Sequence, residues 1–170
     1  FMNPDHDHDI RLYGDKLVKK LFSNLNVESA AILEKCPYEK RFIILAAVEV
    51  ILDCAMRVRQ SINHEHTITP DIIETNALRL IEILLKEHPG ATKEASDNGL
   101  SLLFLAISYQ FENVAALLID YGASPNEVYR GQNAAQFALM NNSSAALLAR
   151  LLTPENKNGL YSLATETHSD

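Results

Sequence analysis

The chain has 170 residues, of which 47% are hydrophobic and 22% charged, and its formal net charge is −7. This length suffices for one domain with a substantial core, and no long apolar run predicts a membrane span. Residues 71–170 hold 12 acidic and 6 basic residues, which disfavours a nucleic-acid partner and favours a basic or mixed protein partner.

The N-terminal part of the chain predicts helices without an internal repeat. An amphipathic helix is expected over residues 9–25, a second helix ends before Pro37, and a long apolar helix covers about residues 38–60. Cys36 and Cys54 lie in apolar helical sequence, so we expect two reduced, buried thiols. Pro70 suits the first position of a further helix that runs to about residue 87.

The second half of the chain contains a repeated pattern. Gly131 follows Gly99 by 32 residues, and Ala138 follows Ala106 by the same distance. The pattern predicts helix pairs over about 101–109 with 113–121 and 132–140 with 143–152, separated by a projecting loop or hairpin near 123–130. A fixed period of this size is typical of solenoid proteins, in which each unit buries its apolar face against its neighbours.

These repeats resemble ankyrin repeats. The resemblance is carried by Gly122-Ala123-Ser124-Pro125-Asn126, which matches the family's finger entry, and by the weakened helix start Ser101-Leu102-Leu103-Phe104. It implies an all-α ankyrin solenoid of stacked helix pairs. The expected domains are an N-terminal helical cap, residues 1–68, and a repeat region, residues 69–170. The clear repeats cover about 98–129 and 130–152, with degenerate units on either side, the last being a C-terminal cap near 158–164.

The resemblance also implies where a partner binds, because ankyrin proteins use their finger tips and the exposed positions of their inner helices. Two sets of residues occupy those places here. They are Asp97, Asn98, Leu100, Ser108 and Tyr109 in one repeat, and Tyr129, Arg130, Gln132, Met140 and Asn141 in the next. Tyrosine and arginine are enriched at binding hot spots. The alternative for Tyr109 and Tyr129 is simple packing between fingers.

Catalytic and metal-binding patterns are weak. His6-Asp7-His8-Asp9 and His64-Glu65-His66 lie in polar segments and lack the three or four convergent ligands of a metal site, so we expect solvated histidines. A cysteine nucleophile needs an electropositive, partly exposed pocket, and neither Cys36 nor Cys54 is expected in one. We therefore expect no enzyme activity, no cofactor and no metal.

The sequence thus predicts a non-catalytic protein–protein interaction module that recognises a partner protein. Short, divergent proteins of this kind resemble secreted effectors of intracellular bacterial pathogens, so we expect a cytoplasmic protein or one delivered into a host cell. One alternative is an enzyme or enzyme-regulating module in the N-terminal half, with the repeats as targeting arm; it needs a polar pocket with convergent His, Cys or carboxylates in residues 1–70. The other is self-assembly through an apolar patch on residues 143–152 or on the first helix.

Overall fold

The computed structural model describes residues 8–14, 16, 39–61, 70–96 and 98–153, and most of these are helical, as expected of an all-α protein. Residues 8–14 form a helix in which Ile10 and Gly14 are buried. A Cβ on Gly14 would lie 3.0 Å from the Ala47 backbone nitrogen, so a larger residue here would require the backbone of α1 to shift. The rest of the helix predicted over 9–25, the helix predicted before Pro37 and the C-terminal cap predicted near 158–164 lie outside the described residues.

Two long helices follow, and they confirm the helices predicted over 38–60 and 70–87. Helix α1 (Lys40–Ser61) and helix α2 (Pro70–Glu87) pack along each other through apolar faces. The domain boundary predicted between residues 68 and 69 falls between these two packed helices. Neither they nor any other helix of the described chain is long and apolar enough to cross a membrane.

The expectation of a buried Cys54 is wrong. Cys54 lies two turns after Ala47, close to the same line along α1, yet Ala47 is fully buried and Cys54 is exposed. Gly14 approaches Ala47, whereas the helix surface around Cys54 borders an open apolar cavity. The apolar sequence around Cys54 predicted burial for α1 as a whole. It did not show where along α1 the packing of other residues ends.

The second half of the chain forms two short helix pairs joined by a hairpin. A 3₁₀ helix (Pro89–Lys93) follows α2, and the pairs are α3 (Leu102–Ser108) with α4 (Glu112–Asp120) and α5 (Ala134–Met140) with α6 (Ala145–Leu151). Between the pairs, β1 (Val128–Tyr129) and β2 (Gln132–Asn133) form an antiparallel ladder. The four helices confirm those predicted from the sequence. The hairpin begins in the segment predicted to project, near 123–130, but its second strand lies where the helix over 132–140 was predicted to begin.

The 32-residue spacing of the sequence recurs in backbone geometry. In the turn after α3, the Phe111 amide donates to the Ala106 carbonyl at 3.0 Å, and 32 residues later the Ser143 amide donates to the Ala138 carbonyl at 3.0 Å. The residues before these donors, Gln110 and Asn142, have positive φ angles of 57° and 56°. Gly99 and Gly131, which precede the two pairs, have φ angles of 75° and 79°.

The six helices contact one another in two series. Helices α1, α3 and α5 contact in that order, as do α2, α4 and α6. Helix α3 lies in the middle of its series, and its residues Leu102–Ile107 are all buried, as predicted for a helix packed on both sides. Ala106 and Ala138 are both fully buried, as predicted for small residues where helices touch.

Candidate partner-binding site

The hairpin between the helix pairs, which we call the second finger (residues 123–133), is shaped by its tip. Arg130 and Gly131 connect β1 to β2, and both have positive φ angles, 51° and 79°. Two successive positive φ angles are typical of the tight turn whose twist suits a two-residue hairpin loop. Arg130 is exposed, and its guanidinium lies 5.1 Å from the centre of the Tyr129 ring.

The base of the second finger is held to α5. The Asn133 side chain accepts a hydrogen bond from the Gln136 amide, and the Gln136 side chain accepts one from the Asn133 amide, which forms a complete capping box. The Tyr129 ring packs against Phe104, at 5.6 Å between ring centres, and against Phe137 at 6.3 Å. Tyr129 is consequently half-buried and helps to fix the finger in place.

The second finger and the far end of α5 share one surface. The Gln132 side-chain amide contacts the Met140 sulfur at 2.8 Å, and Asn141, beside Met140, donates to the Phe137 carbonyl. We call the surface formed by residues 129–132 and 139–141 the inner face. Met140 and Leu139 expose 62% and 48% of their surface there, whereas Val128, 65% exposed, alternates with Tyr129 along β1 and lies on the opposite face of the hairpin. Val128 and Leu139 were missed from the sequence; strand alternation beside Tyr129 could have indicated Val128.

The first finger (residues 95–101) is a smaller hairpin. Ala95 pairs with Ser101 in an isolated bridge, and the Ser96 amide donates to the Leu100 carbonyl at 3.0 Å. The side chain of Asn98 accepts from the Ser96 hydroxyl and from the Leu100 amide, so its carbonyl oxygen shapes the turn. Asp97 lies outside the described residues. Asn98 is exposed and Leu100 is half-buried against the core.

Of the predicted site residues at the end of α3, Tyr109 contacts α1. The Tyr109 hydroxyl donates to the Asp53 carboxylate of α1 at 2.5 Å, and Arg59 of α1 donates to the Tyr109 carbonyl. Burial, assisted by the hydrogen bond to Asp53, raises the pKa of Tyr109 to about 12. Ser108 bonds to the Leu105 carbonyl of its own helix. Tyr109 therefore ties α3 to α1 and is half-buried, whereas Arg130 and Met140 are exposed.

The negative charge of the second half lies largely outside the two helix pairs. Residues 98–153 contain three acidic and two basic residues, a net charge of −1. All three acids are engaged, because Glu112 accepts from the Ser144 amide at 2.6 Å, Asp120 pairs with Arg150, and Glu127 accepts from the Ser124 amide at 3.4 Å. The inner face carries one charged residue, Arg130, so the excess of acidic residues does not favour a basic partner at this surface.

A polar cleft of about 200 Å³ lies between the two fingers. Its walls come from both fingers and from the end of the 3₁₀ helix, and they carry charges of both signs. The lining residues are Lys93, Glu94, Ala95, Gly99, Ser101, Phe104, Glu127 and Val128. The sequence gave no sign of this cleft, because it brings together residues that are up to 35 positions apart.

A second cavity, of about 330 Å³, lies between α1 and α2 and is apolar. Its lining residues are Ile51, Cys54, Ala55, Val58, Ile72, Ile73, Asn76, Ala77 and Leu80. The enzyme alternative needs a polar pocket with convergent His, Cys or carboxylates, and this apolar cavity has Cys54 as its one lining residue of these types. Across the described residues, no group of three His, Cys, Asp or Glu side chains could hold a metal ion. His6, Cys36, His64 and His66 lie outside those residues.

The self-assembly alternative named two surfaces. Within residues 143–152, no large hydrophobic side chain is exposed. In the helix over residues 8–14, Leu12 is 44% exposed.

Comparisons with family models, with curated proteins and with solved structures gave no match.

Proposed function

We propose that residues 98–153 form two ankyrin-like repeats and that the protein is a non-catalytic module that binds a partner protein through the inner face. The 32-residue spacing supports the repeats, since turns, positive φ angles and backbone hydrogen bonds recur with it. Helices α1 and α2 take the place of a long, atypical pair in front of these repeats. Such an end unit covers an apolar face of the first repeat that water would otherwise contact.

The observation that carries the binding proposal is the exposure of Leu139 and Met140 at the end of α5, where Gln132 of the hairpin contacts Met140. The capping box and the packing of Tyr129 fix the hairpin before any partner arrives. A rigid apolar surface loses little conformational entropy on binding, so its burial contributes directly to affinity. The sparse charge of residues 98–153 favours a partner surface that is apolar with a polar rim.

The test uses the full chain as bait for affinity capture, followed by calorimetry with the purified partner. Met140→Lys places a charge in the centre of the inner face, whereas Ala149→Lys places the same charge on an exposed position of α6. We expect Met140→Lys to weaken the complex by about 2 kcal/mol or more and Ala149→Lys to leave it within about 0.5 kcal/mol. A partner that binds both variants equally would place the interface elsewhere.

An effector role in a host cell is the wider setting that we propose for such a module. Its test is separate, because delivery concerns transport and not the inner face. A reporter fusion that stays in the producing cell during infection would contradict it, even if the binding experiment succeeds.

A further inference from the structure

The cleft between the fingers contains an unmet hydrogen bond. Ser101 is 5% exposed, and its hydroxyl is the one buried side-chain polar atom among the described residues that has no hydrogen-bond partner. A buried hydroxyl without a partner destabilises a fold, because it has lost its bonds to water. Such a group is normally satisfied, so its position on the wall of a cleft needs an explanation.

Ser101 differs in this respect from Asn133, which occupies the equivalent position in the next helix pair. Ser101 is the N-cap of α3, with an extended backbone (φ −82°, ψ 162°), and Asn133 is the N-cap of α5, with a similar one (φ −76°, ψ 168°). Asn133 caps its helix by accepting from Gln136, whereas the Ser101 side chain makes no capping bond. Serine is a favoured capping residue, so the backbone permits a bond that the side chain does not form.

The charged side chains around the cleft restrict which chemical groups could bind in it. Lys93 is exposed and has no ion-pair partner within the described chain, while Glu94 is paired with Arg41 at 3.0 Å. Glu127 accepts a long hydrogen bond, 3.4 Å, from the Ser124 amide. A group with a full charge of either sign would meet a like charge in the cleft. A neutral group that both donates and accepts hydrogen bonds meets none.

We propose that the cleft takes a carboxamide side chain, from an asparagine or glutamine of the partner protein. Its carbonyl oxygen accepts from Lys93 and from the Ser101 hydroxyl, which turns toward the cleft by rotation about the Cα–Cβ bond, and its NH₂ group donates to Glu127. The methylene stem of the side chain lies against Val128 and Phe104. This inference rests on the proposed function, because the partner that brings the side chain is the one bound at the inner face.

The experiment needs no partner protein. Three probes with identical main-chain amides, N-acetyl-glutamine, N-acetyl-glutamate and N-acetyl-lysine N-methylamide, are titrated into the isotope-labelled full chain and followed by NMR. We expect the glutamine probe to shift the amides of Gly99, Ser101 and Val128 with a Kd of about 1–100 mM. The glutamate and lysine probes shift them less at equal concentration. Equal or stronger shifts with a charged probe, or no local shifts with any, would overturn the proposal.

Two serine variants sharpen the result. Ser101→Ala removes the hydroxyl and should weaken the glutamine probe about two- to tenfold while raising the melting temperature by about 2–4 °C. Ser61→Ala, at the end of α1 and bonded to its own helix carbonyl, should change neither. Unchanged probe affinity in Ser101→Ala would overturn the role of the hydroxyl. Failure of the probes together with loss of partner binding in Met140→Lys would refute the carboxamide and leave the inner face as the binding surface.

Discussion

The two helix pairs, α3 with α4 and α5 with α6, share a backbone but not an environment. Their turns, positive φ angles and hydrogen bonds correspond at a spacing of 32 residues. Helix α3 contacts α1 on one side and α5 on the other, and almost all of it is buried. Helix α5 buries three alanines and ends in exposed Leu139 and Met140.

This difference separates buried from exposed residues at matched positions. A residue of the α3 pair tends to contact neighbouring helices, while its counterpart in the α5 pair tends to lie at the surface. Tyr109 and Asn141 illustrate the contrast. Tyr109 bonds to Asp53 of α1, whereas Asn141 bonds to Phe137 of α5 and to Gln110 of the turn between α3 and α4. The same backbone therefore serves the core in one pair and the surface in the next.

The largest expected difference in the free energy of unfolding is between variants of Phe104 and of its counterpart Gln136. Phe104 is fully buried and packs against Tyr129 and Phe137, so Phe104→Ala should lower the free energy of unfolding by about 3–5 kcal/mol. Gln136 is half-buried and completes the capping box, so Gln136→Ala should cost about 1 kcal/mol. Urea unfolding of both variants measures the difference. Equal losses would show that the two pairs are equally buried in solution.

Overpacking at Ala106 gives the next effect. Ala106 is fully buried in the middle of α3, so Ala106→Leu should cost about 1–3 kcal/mol. Ala149→Leu adds the same volume at an exposed position of α6 and should stay within about 0.5 kcal/mol of the parent protein. Thermal unfolding compares the two. A melt of Ala106→Leu that matches the parent protein would contradict the packing of α3 between its neighbours.

Tyr109 offers a test of the contact between α3 and α1 through pH. The pKa of Tyr109 is raised above its ordinary value to about 12, so this tyrosine should give a late phase in an absorbance titration at alkaline pH. Because the folded-state pKa is raised, its stabilising contribution is complete below pH 10 and is lost as the pH rises through 12. Tyr109→Phe should remove the late phase. Asp53→Asn should bring it to lower pH, and an unchanged titration in both would contradict the contact.

Local sequence rules predicted most of the fold. The period of the apolar residues, Pro70 at a helix start and the glycine spacing placed α1 to α6 within a few residues of their observed ends. Exposure was harder to predict, as Cys54 and Tyr109 show. Cys54 lies in apolar sequence but borders an open cavity, and Tyr109 lies at a helix end but reaches a carboxylate 56 residues earlier.

The candidate binding site was predicted only in part for the same reason. Arg130, Gln132 and Met140 follow from their places in the repeat, and the structure finds them on or beside one exposed face. The cleft depends on Lys93, Ser101 and Glu127 meeting across two hairpins. The unmet hydrogen bond of Ser101 depends on which rotamer its neighbours permit, and no residue pattern encodes that.

The smallest expected effect concerns the turns that the two pairs share. Gln110 and Asn142 occupy the same left-handed conformation, with φ angles of 57° and 56°. Asparagine tolerates this conformation better than glutamine, because its short side chain can bond to the local backbone. Gln110→Gly should therefore raise the free energy of unfolding by about 0.5 kcal/mol, while Asn142→Gly should leave it nearly unchanged. Urea midpoints measured side by side decide this, and an equal gain at both positions would mean that Asn142 carries the same strain as Gln110.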